Sequence, residues 1–265
     1  MPWNPNVYHK FQRERFAPFD DLFKLIKVRE GMRVIDLGCG TGELTRRLAD
    51  QLPGSDVVGV DSSDEMLSRA QSLACPRLTF KKQAIQDASG EWDLVFSHAA
   101  IQWLDDHEIL IPRLFSLVRP GGQLAVQLPS NHEHPSHTIL KDIAREEPFV
   151  SAFVGWSRLS PVLAVGRYAE LLHLQGAEEL NVFEKIYPHV LRDSNEVESW
   201  MSGTALIPYI ERLPDALHDE FLARYRSCLK ALWPHGPVFY GFQRILFSAV
   251  RLFENEAERQ NDVRI

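Results

Sequence analysis

A short apolar run, RVIDL (33–37), gives way to a loop with glycine at positions 38, 40 and 42, and then to ELTRRLADQL (43–52). In the last segment Leu44, Leu48 and Leu52 fall at i, i+4 and i+8, which is one face of a helix. A buried strand that turns through glycines into a helix is the opening unit of a parallel α/β sheet, and few other folds use it. The residues that follow keep the alternation. DVVGVD (56–61), RLTFKKQAI (77–85), WDLVFSHA (92–99) and QLAVQLP (123–129) read as strands. SSDEMLSRAQSL and ILIPRLFSLV (109–118) read as helices between them, the first opened by Ser62 and Glu65 as a capping box, the second closed by the turn RPGG. EELNVFEKIYPHVL and VFYGFQRILFSAVRLF (238–253) complete seven strands.

Nearly continuous apolar strands belong to a sheet covered on both faces. The expected fold is therefore α/β: a doubly wound, mostly parallel, seven-stranded Rossmann-like sheet. The SNHEHPSH segment reads as a loop, and SPVLAVGRYAELLHLQG (160–176) as a helix. Residues 194–232 read as helical, interrupted at Pro208 and Pro214, and form an insertion between the last two strands. The expected organisation is one domain over 1–265, with an N-terminal helical cap (1–30), a cofactor-binding core (31–130) and a helical lid (194–232) over an acceptor site.

Ligands of doubly wound sheets sit at the carboxyl ends of the strands. That rule selects Asp36 to Gly42, Asp61 to Ser63, Ala84 to Asp87 and Ser97 to Trp103. A dinucleotide fingerprint requires Gly-x-Gly-x-x-Gly. Counted from Gly38 the third position is Glu43, and counted from Gly40 it is Thr45. A carboxylate at the helix start also repels a pyrophosphate. The loop therefore suits a nucleoside without phosphates. Gly38 and Gly40 allow close backbone approach. Asp36 is placed to hold a cationic amino group, Asp61 to accept ribose hydroxyls, and Met66 to pack on a base.

A net charge of −7, with no basic block, excludes binding of nucleic acid by phosphate neutralisation. Cys39, Cys75 and Cys228 form no paired spacing and read as free thiols. The N-terminal residues lack an apolar signal region and no run reaches membrane-spanning length, so a cytoplasmic protein is expected. His132, His134 and His137 lie close together, but the spacing lacks a ligand pattern and no metal is expected.

VIDLGCGTGELT followed by GVDSS resembles the class I S-adenosylmethionine-dependent methyltransferase family. WNPNVYHKFQRER (3–15), AIQWLDDH (100–107), QLPSNHEHPSH (127–137), SWMSGTALIPYI (199–210) and FQRILFSAVR (242–251) resemble the trans-aconitate methyltransferase family more narrowly. The resemblance implies methyl transfer from S-adenosylmethionine to one carboxylate of a tricarboxylic acid, leaving S-adenosylhomocysteine and a monomethyl ester. It implies cofactor contacts at Gln12, Asp36, Gly38, Gly40, Asp61, Ser62, Met66, Ala84, Ile85 and Ser97. It implies acceptor contacts at Tyr8, Arg15, Trp103, His189, Tyr209 and Arg244, with Arg192 a further candidate cation. No general base is expected, because a carboxylate is already ionised at pH 7. The implied partner is a small carboxylic acid, with no nucleic acid, membrane or obligate protein partner. Two positions depart from the family pattern: Ile207 stands where an arginine precedes the proline, and Ala84 where an aspartate ends the third strand.

Overall fold

The computed structural model describes residues 12–253, with the side chains described from residue 16 onward. Seven strands, β1 (Arg33–Leu37), β2 (Asp56–Asp61), β3 (Leu78–Lys82), β4 (Trp92–His98), β5 (Val118–Pro129), β6 (Ala177–Leu191) and β7 (Val238–Arg251), form one sheet in the order β3-β2-β1-β4-β5-β7-β6. Strands β1 to β5 pair in parallel, and β7 runs antiparallel to β5. The strand order reverses between β1 and β4, which places the switch point, and hence the ligand end, beside the glycine loop.

The helices are α1 (Gln12–Phe23), α2 (Glu43–Gln51), α3 (Asp64–Ala70), α4 (His107–Ser116), α5 (Pro135–Ile143), α6 (Phe149–Phe153), α7 (Val165–Leu174), α8 (Ser194–Ser202), α9 (Ile207–Ile210) and α10 (Asp215–Leu232). Helices α8, α9 and α10 lie in the chain between the last two strands. Pro208 sits in the first turn of α9 and Pro214 precedes α10, so both prolines begin helices, where the missing N–H costs nothing.

The chain divides into two compact units. One contains Ala17–Pro129, Pro161–Lys185 and the chain from Arg244 onward. Its core is mostly aliphatic: Ile35, Leu37, Val95, Leu124 and Val126 are almost fully buried, with Phe247 among them. Each such side chain contributes about 1.5–3 kcal/mol on burial. The other unit is built, among the described residues, from 12–16, Ser130–Ser160 and Ile186–Gln243. Its core is aromatic, with Phe149, Phe153, Tyr209, Phe221, Tyr225 and Tyr240 buried together. No described helix is long and apolar enough to cross a membrane.

Several local expectations shift. Ser63, rather than Ser62, caps α3, its side chain accepting from Met66 N at 3.3 Å, and Glu65 takes no part in the cap. RPGG does not end a helix: α4 stops at Ser116, and β5 starts at Val118 and passes through this tetrapeptide, its pairing register with β4 shifting between Trp92 and Leu94. The supposed loop after Pro129 contains most of a helical start. His134 Nδ1 accepts from Ser136 N, and Pro135 opens α5. The helix expected over 160–176 covers only Val165–Leu174.

Candidate functional site

The glycine loop is held from below and from one side. Gly38 N and Cys39 N donate to Val60 O at 2.8 and 3.0 Å, and Gly42 N closes a turn onto Cys39 O. Asp61, at the end of β2, uses one oxygen on the loop and the other on the start of α3. Oδ2 accepts from Gly40 N at 2.9 Å, and Oδ1 accepts from Ser63 N at 2.9 Å. Asp61 therefore fixes the loop and the start of α3, and each oxygen keeps a lone pair for further donors. This structural part was not visible in the sequence reading, which gave Asp61 only the ribose.

The three glycines adopt left-handed φ of +82°, +55° and +78° at 38, 40 and 42. Their reasons differ. A Cβ on Gly38 would overlap the Ala100 side chain, and one on Gly42 would press on Phe80 and Ala70. Gly40 meets nothing within 4 Å. Only at Gly40 is the space beside the backbone open to a ligand; Gly38 is glycine because the loop after β4 crosses it.

Asp36 is 3 % exposed and sits beneath the loop. Thr45 Oγ1, in the first turn of α2, donates to its Oδ2 at 2.6 Å. Burial raises the Asp36 pKa from 3.8 to about 7, the Thr45 bond opposes the rise, and the Asp61 charge adds to it. A cation bound nearby would relieve both raising effects. Cys39 is buried, and burial together with Asp36 and Asp61 drives its thiol far above its usual range, so it is an inert filler.

The remaining loop-end residues are distributed as follows. Ser62 is exposed, Met66 and Ala84 are half-buried, and Ile85 is buried. The Gln83 amide donates to Asp87 O at 2.8 Å, which commits that side chain to its own turn. Ser97 is fully buried and its hydroxyl donates to Leu37 O at 2.9 Å. Its side chain ties β4 to β1. Gln12 and Arg15 fall where only the backbone of α1 is described, and Tyr8 lies outside the described residues.

Among the acceptor candidates, Trp103 is 54 % exposed in the short helical turn after β4. Arg192 pairs with Glu196, its N donating to Oε2 at 2.7 Å and its Nε to Oε1 at 3.3 Å, and is a surface ion pair. Arg244 is 6 % exposed, at the level of Pro129 on β5. A guanidinium can only donate, which assigns the Gln127 amide with its oxygen toward Arg244 Nη1 at 3.0 Å and its nitrogen toward His98 Nε2 at 3.0 Å. Gln127 was not selected from sequence, and His98 fell within the selected stretch Ser97 to Trp103 without a role of its own. A glutamine inside the apolar run QLAVQLP was the available signal, since a fully buried amide must find partners.

The aromatic unit contains the other candidates. His189 is buried against Trp200 and Phe242, with ring centroids 5.0 and 6.1 Å away. Tyr209 is buried against Trp156 and Phe153, and burial pushes its phenol up to about 12. Arg158, unselected by sequence, donates from Nη1 to Ala205 O at 2.7 Å. Burial lowers its pKa and Tyr209 opposes the change. His137 is held neutral, its pKa lowered to about 3 first by burial and then by the Arg158 charge. Arg212 lies 4.6 Å over the Trp156 ring. The histidines near residue 134 serve hydrogen bonding: Ser136 Oγ links His134 Nδ1, His137 Nδ1 and Tyr240 OH at 2.9, 3.2 and 3.0 Å. No group of three metal-binding side chains is assembled among the described residues.

A doubly wound sheet with an acidic residue ending β2 and a glycine loop unsuited to phosphate defines a methyltransferase domain, and the family model described as "Methyltransferase domain" matches residues 28–176. The fold agrees with solved structures. Phosphoethanolamine N-methyltransferase 2 of Haemonchus contortus, in complex with S-adenosyl-L-methionine, superposes with a TM-score of 0.53 at 18 % identity, over 89 % of this chain and 52 % of that one. This chain thus spans about half of the nematode protein. YcgJ of Bacillus subtilis superposes with a TM-score of 0.58 at 13 % identity, over 90 % of this chain and 99 % of that one.

Nearer relatives narrow the class. A trans-aconitate 2-methyltransferase of Deinococcus radiodurans is 46 % identical over 257 residues, covering 95 % of this chain and 99 % of the relative. One of Variovorax paradoxus is 37 % identical over 88 % of this chain and 91 % of its own. The chain belongs to the trans-aconitate 2-methyltransferase family.

Proposed function

We propose that this protein transfers the methyl group of S-adenosylmethionine to a carboxylate of trans-aconitate or a closely related tricarboxylate. The observation that carries this reading is the 46 % identity that runs across 95 % of the chain, acceptor-binding half included, to a relative of that name. The residues at the β1 and β2 ends suit such a donor: Gly40 leaves the loop backbone open, Asp61 stands at the β2 end, and Asp36 is a buried carboxylate that a bound cation would stabilise as an anion.

S-adenosylmethionine supplies a methyl carbon made electrophilic by its sulfonium. An ionised acceptor oxygen forms the new C–O bond as the C–S bond breaks, and the bonding pair leaves with sulfur. No proton moves, so the protein needs no base. What it must supply is alignment and exclusion of water, which in well-oriented systems lowers a barrier by about 7–11 kcal/mol. Arg244 is read as holding an acceptor carboxylate, since a guanidinium matches a carboxylate with paired hydrogen bonds, and Arg158 is read separately as a cation whose loss would weaken acceptor binding. Helices α8 to α10 are read as the acceptor-recognition segment, and the protein as cytoplasmic with a small carboxylic acid as its partner.

Ile207 favours a second reading, in which the acceptor is a smaller or less charged metabolite taken with the same donor. A panel of di- and tricarboxylates, assayed for base-labile methyl esters by mass spectrometry, separates the two. Preference for trans-aconitate supports the first, preference for a dicarboxylate the second, and no ester from any member overturns both.

A further inference from the structure

We infer that Gln102 and His107 are positioning residues for acceptor recognition: they clamp the turn at 99–104, and that turn sets the place of Trp103. The inference rests on the acceptor reading above and deepens it. The turn leaves β4 at its carboxyl end. Ala99 adopts a φ of +53°, a left-handed conformation that its Cβ disfavours. Gln102 Nε2 donates to Ala99 O at 2.8 Å and so holds the strained residue in place. The other end of the same amide, Oε1, is buried and has no hydrogen-bond partner among the described residues. A left-handed alanine and an orphaned buried acceptor thus concentrate two local costs within four residues. Such a conformation is kept for its use and not for its stability.

His107, the first residue of α4, clamps the turn two residues further on. Its Nε2 lies 2.9 Å from Ile101 O, and a carbonyl can only accept, so Nε2 carries the proton. Nδ1 then accepts from Tyr168 OH at 2.6 Å, and the Tyr168 oxygen accepts in turn from Leu163 N at 3.1 Å. The ring is buried, and burial lowers its pKa, which favours this neutral form. The bonds run in one direction, from Leu163 through Tyr168 and His107 to Ile101, and both ring nitrogens are used. Between the clamped carbonyls of Ala99 and Ile101 stands Ala100, whose side chain a Cβ on Gly38 would overlap. Trp103 follows Gln102 directly, and its N donates to Ala100 O at 3.2 Å. One clamped turn therefore packs on the donor loop and carries the indole expected to meet the acceptor. A transfer that depends on alignment needs such a fixed spacing between donor loop and acceptor contact.

The test uses the full-length protein with Gln102→Met, which keeps the side-chain length but removes the donor, and Tyr168→Phe, which removes one hydroxyl and keeps the ring stacked on Phe247. Binding of S-adenosylhomocysteine is measured calorimetrically beside steady-state kinetics on trans-aconitate. We expect affinity for S-adenosylhomocysteine within about threefold of wild type in both variants. The trans-aconitate KM should rise about tenfold in Gln102→Met, which cuts the clamp itself, and about threefold in Tyr168→Phe, which only loosens His107, with a smaller change in kcat. In a Trp103→Ala background each substitution should add less than about a twofold further rise, because both act through Trp103. A KM unchanged in either variant, or the full rise repeated in Trp103→Ala, overturns the inference and leaves the proposed function standing. Loss of S-adenosylhomocysteine binding in either variant assigns the clamps to the architecture of the donor loop and also overturns it. A wild-type protein that binds S-adenosylhomocysteine but is inactive on every tricarboxylate overturns the proposed function and this inference together.

Discussion

Thr45 Oγ1 donates to Asp36 Oδ2 across 2.6 Å, beneath the glycine loop and away from solvent. A hydroxyl on the first turn of α2 thereby holds a carboxylate at the end of β1, and it does so against the cost of burial, which still raises Asp36 to about 7. The pair is poised: with a pKa of about 7 the carboxyl is close to half ionised at neutral pH, and a bound cation would favour the ionised form.

This poise predicts pH dependence. If the amino group of the cofactor needs ionised Asp36, affinity for S-adenosylhomocysteine should rise about tenfold from pH 6 to pH 8. Asp36→Asn should bind weakly and show a flat profile. The stability effect has the opposite sign. The folded pKa lies above the ordinary 3.8, so the folded state binds this proton more tightly between those values. Asp36 therefore contributes relative stability in acid that is lost as pH rises through about 7. Asp36→Asn should raise the ligand-free Tm at pH 8 and alter it less at pH 5. Calorimetry and thermal melts across that range check both signs.

The glycines should separate by mechanism. Gly40→Ala meets open space and incurs only the left-handed backbone cost, about 1 kcal/mol. It should fold with a Tm a few degrees lower and lose at least tenfold in cofactor affinity. Gly38→Ala collides with Ala100, and Gly38→Ala alone should lower yield and Tm sharply. Pairing it with Ala100→Gly should recover the fold, as melts of the three variants would record.

Arg158 and Ile207 should trade specificity. Arg158→Gln removes a guanidinium, and a lost charge-assisted hydrogen bond costs about 1.5–3 kcal/mol, so the trans-aconitate KM should rise roughly 10- to 150-fold. Ile207→Arg adds a cation in the first turn of α9 and should lower that KM. Kinetics on tricarboxylates and dicarboxylates together would show whether the gain is confined to the more highly charged acceptors.

The core should respond as an ordinary close-packed interior. Leu48 is fully buried on α2, and Leu48→Ala should cost about 2–5 kcal/mol with no change in the acceptor KM of the folded fraction. Urea denaturation followed by fluorescence measures it.

The parallel half of the sheet was legible because β1 and β2 are short β-branched runs whose burial needs no information beyond their own residues. RVIDL and DVVGVD coincide with the strands residue for residue. Helix α5 was not legible. Histidine and proline read locally as loop, whereas Pro135 at a helix start and the His134 side chain on Ser136 N make the same residues a cap. The double duty of Asp61 was hidden for a similar reason: its bond to Ser63 N is local, but its bond to Gly40 N depends on β1 lying beside β2. The cluster of His98, Gln127 and Arg244 joins three strands, and nothing in any one strand announces the other two. Arg158 acquires its meaning from Tyr209 and Ala205, far along the chain.

The central claim is the reaction itself. Purified protein incubated with S-adenosylmethionine and trans-aconitate should yield S-adenosylhomocysteine and a trans-aconitate monomethyl ester in equal amounts, the ester vanishing on mild base hydrolysis. Intact binding of S-adenosylhomocysteine with no ester formed from trans-aconitate or any related tricarboxylate would contradict the account.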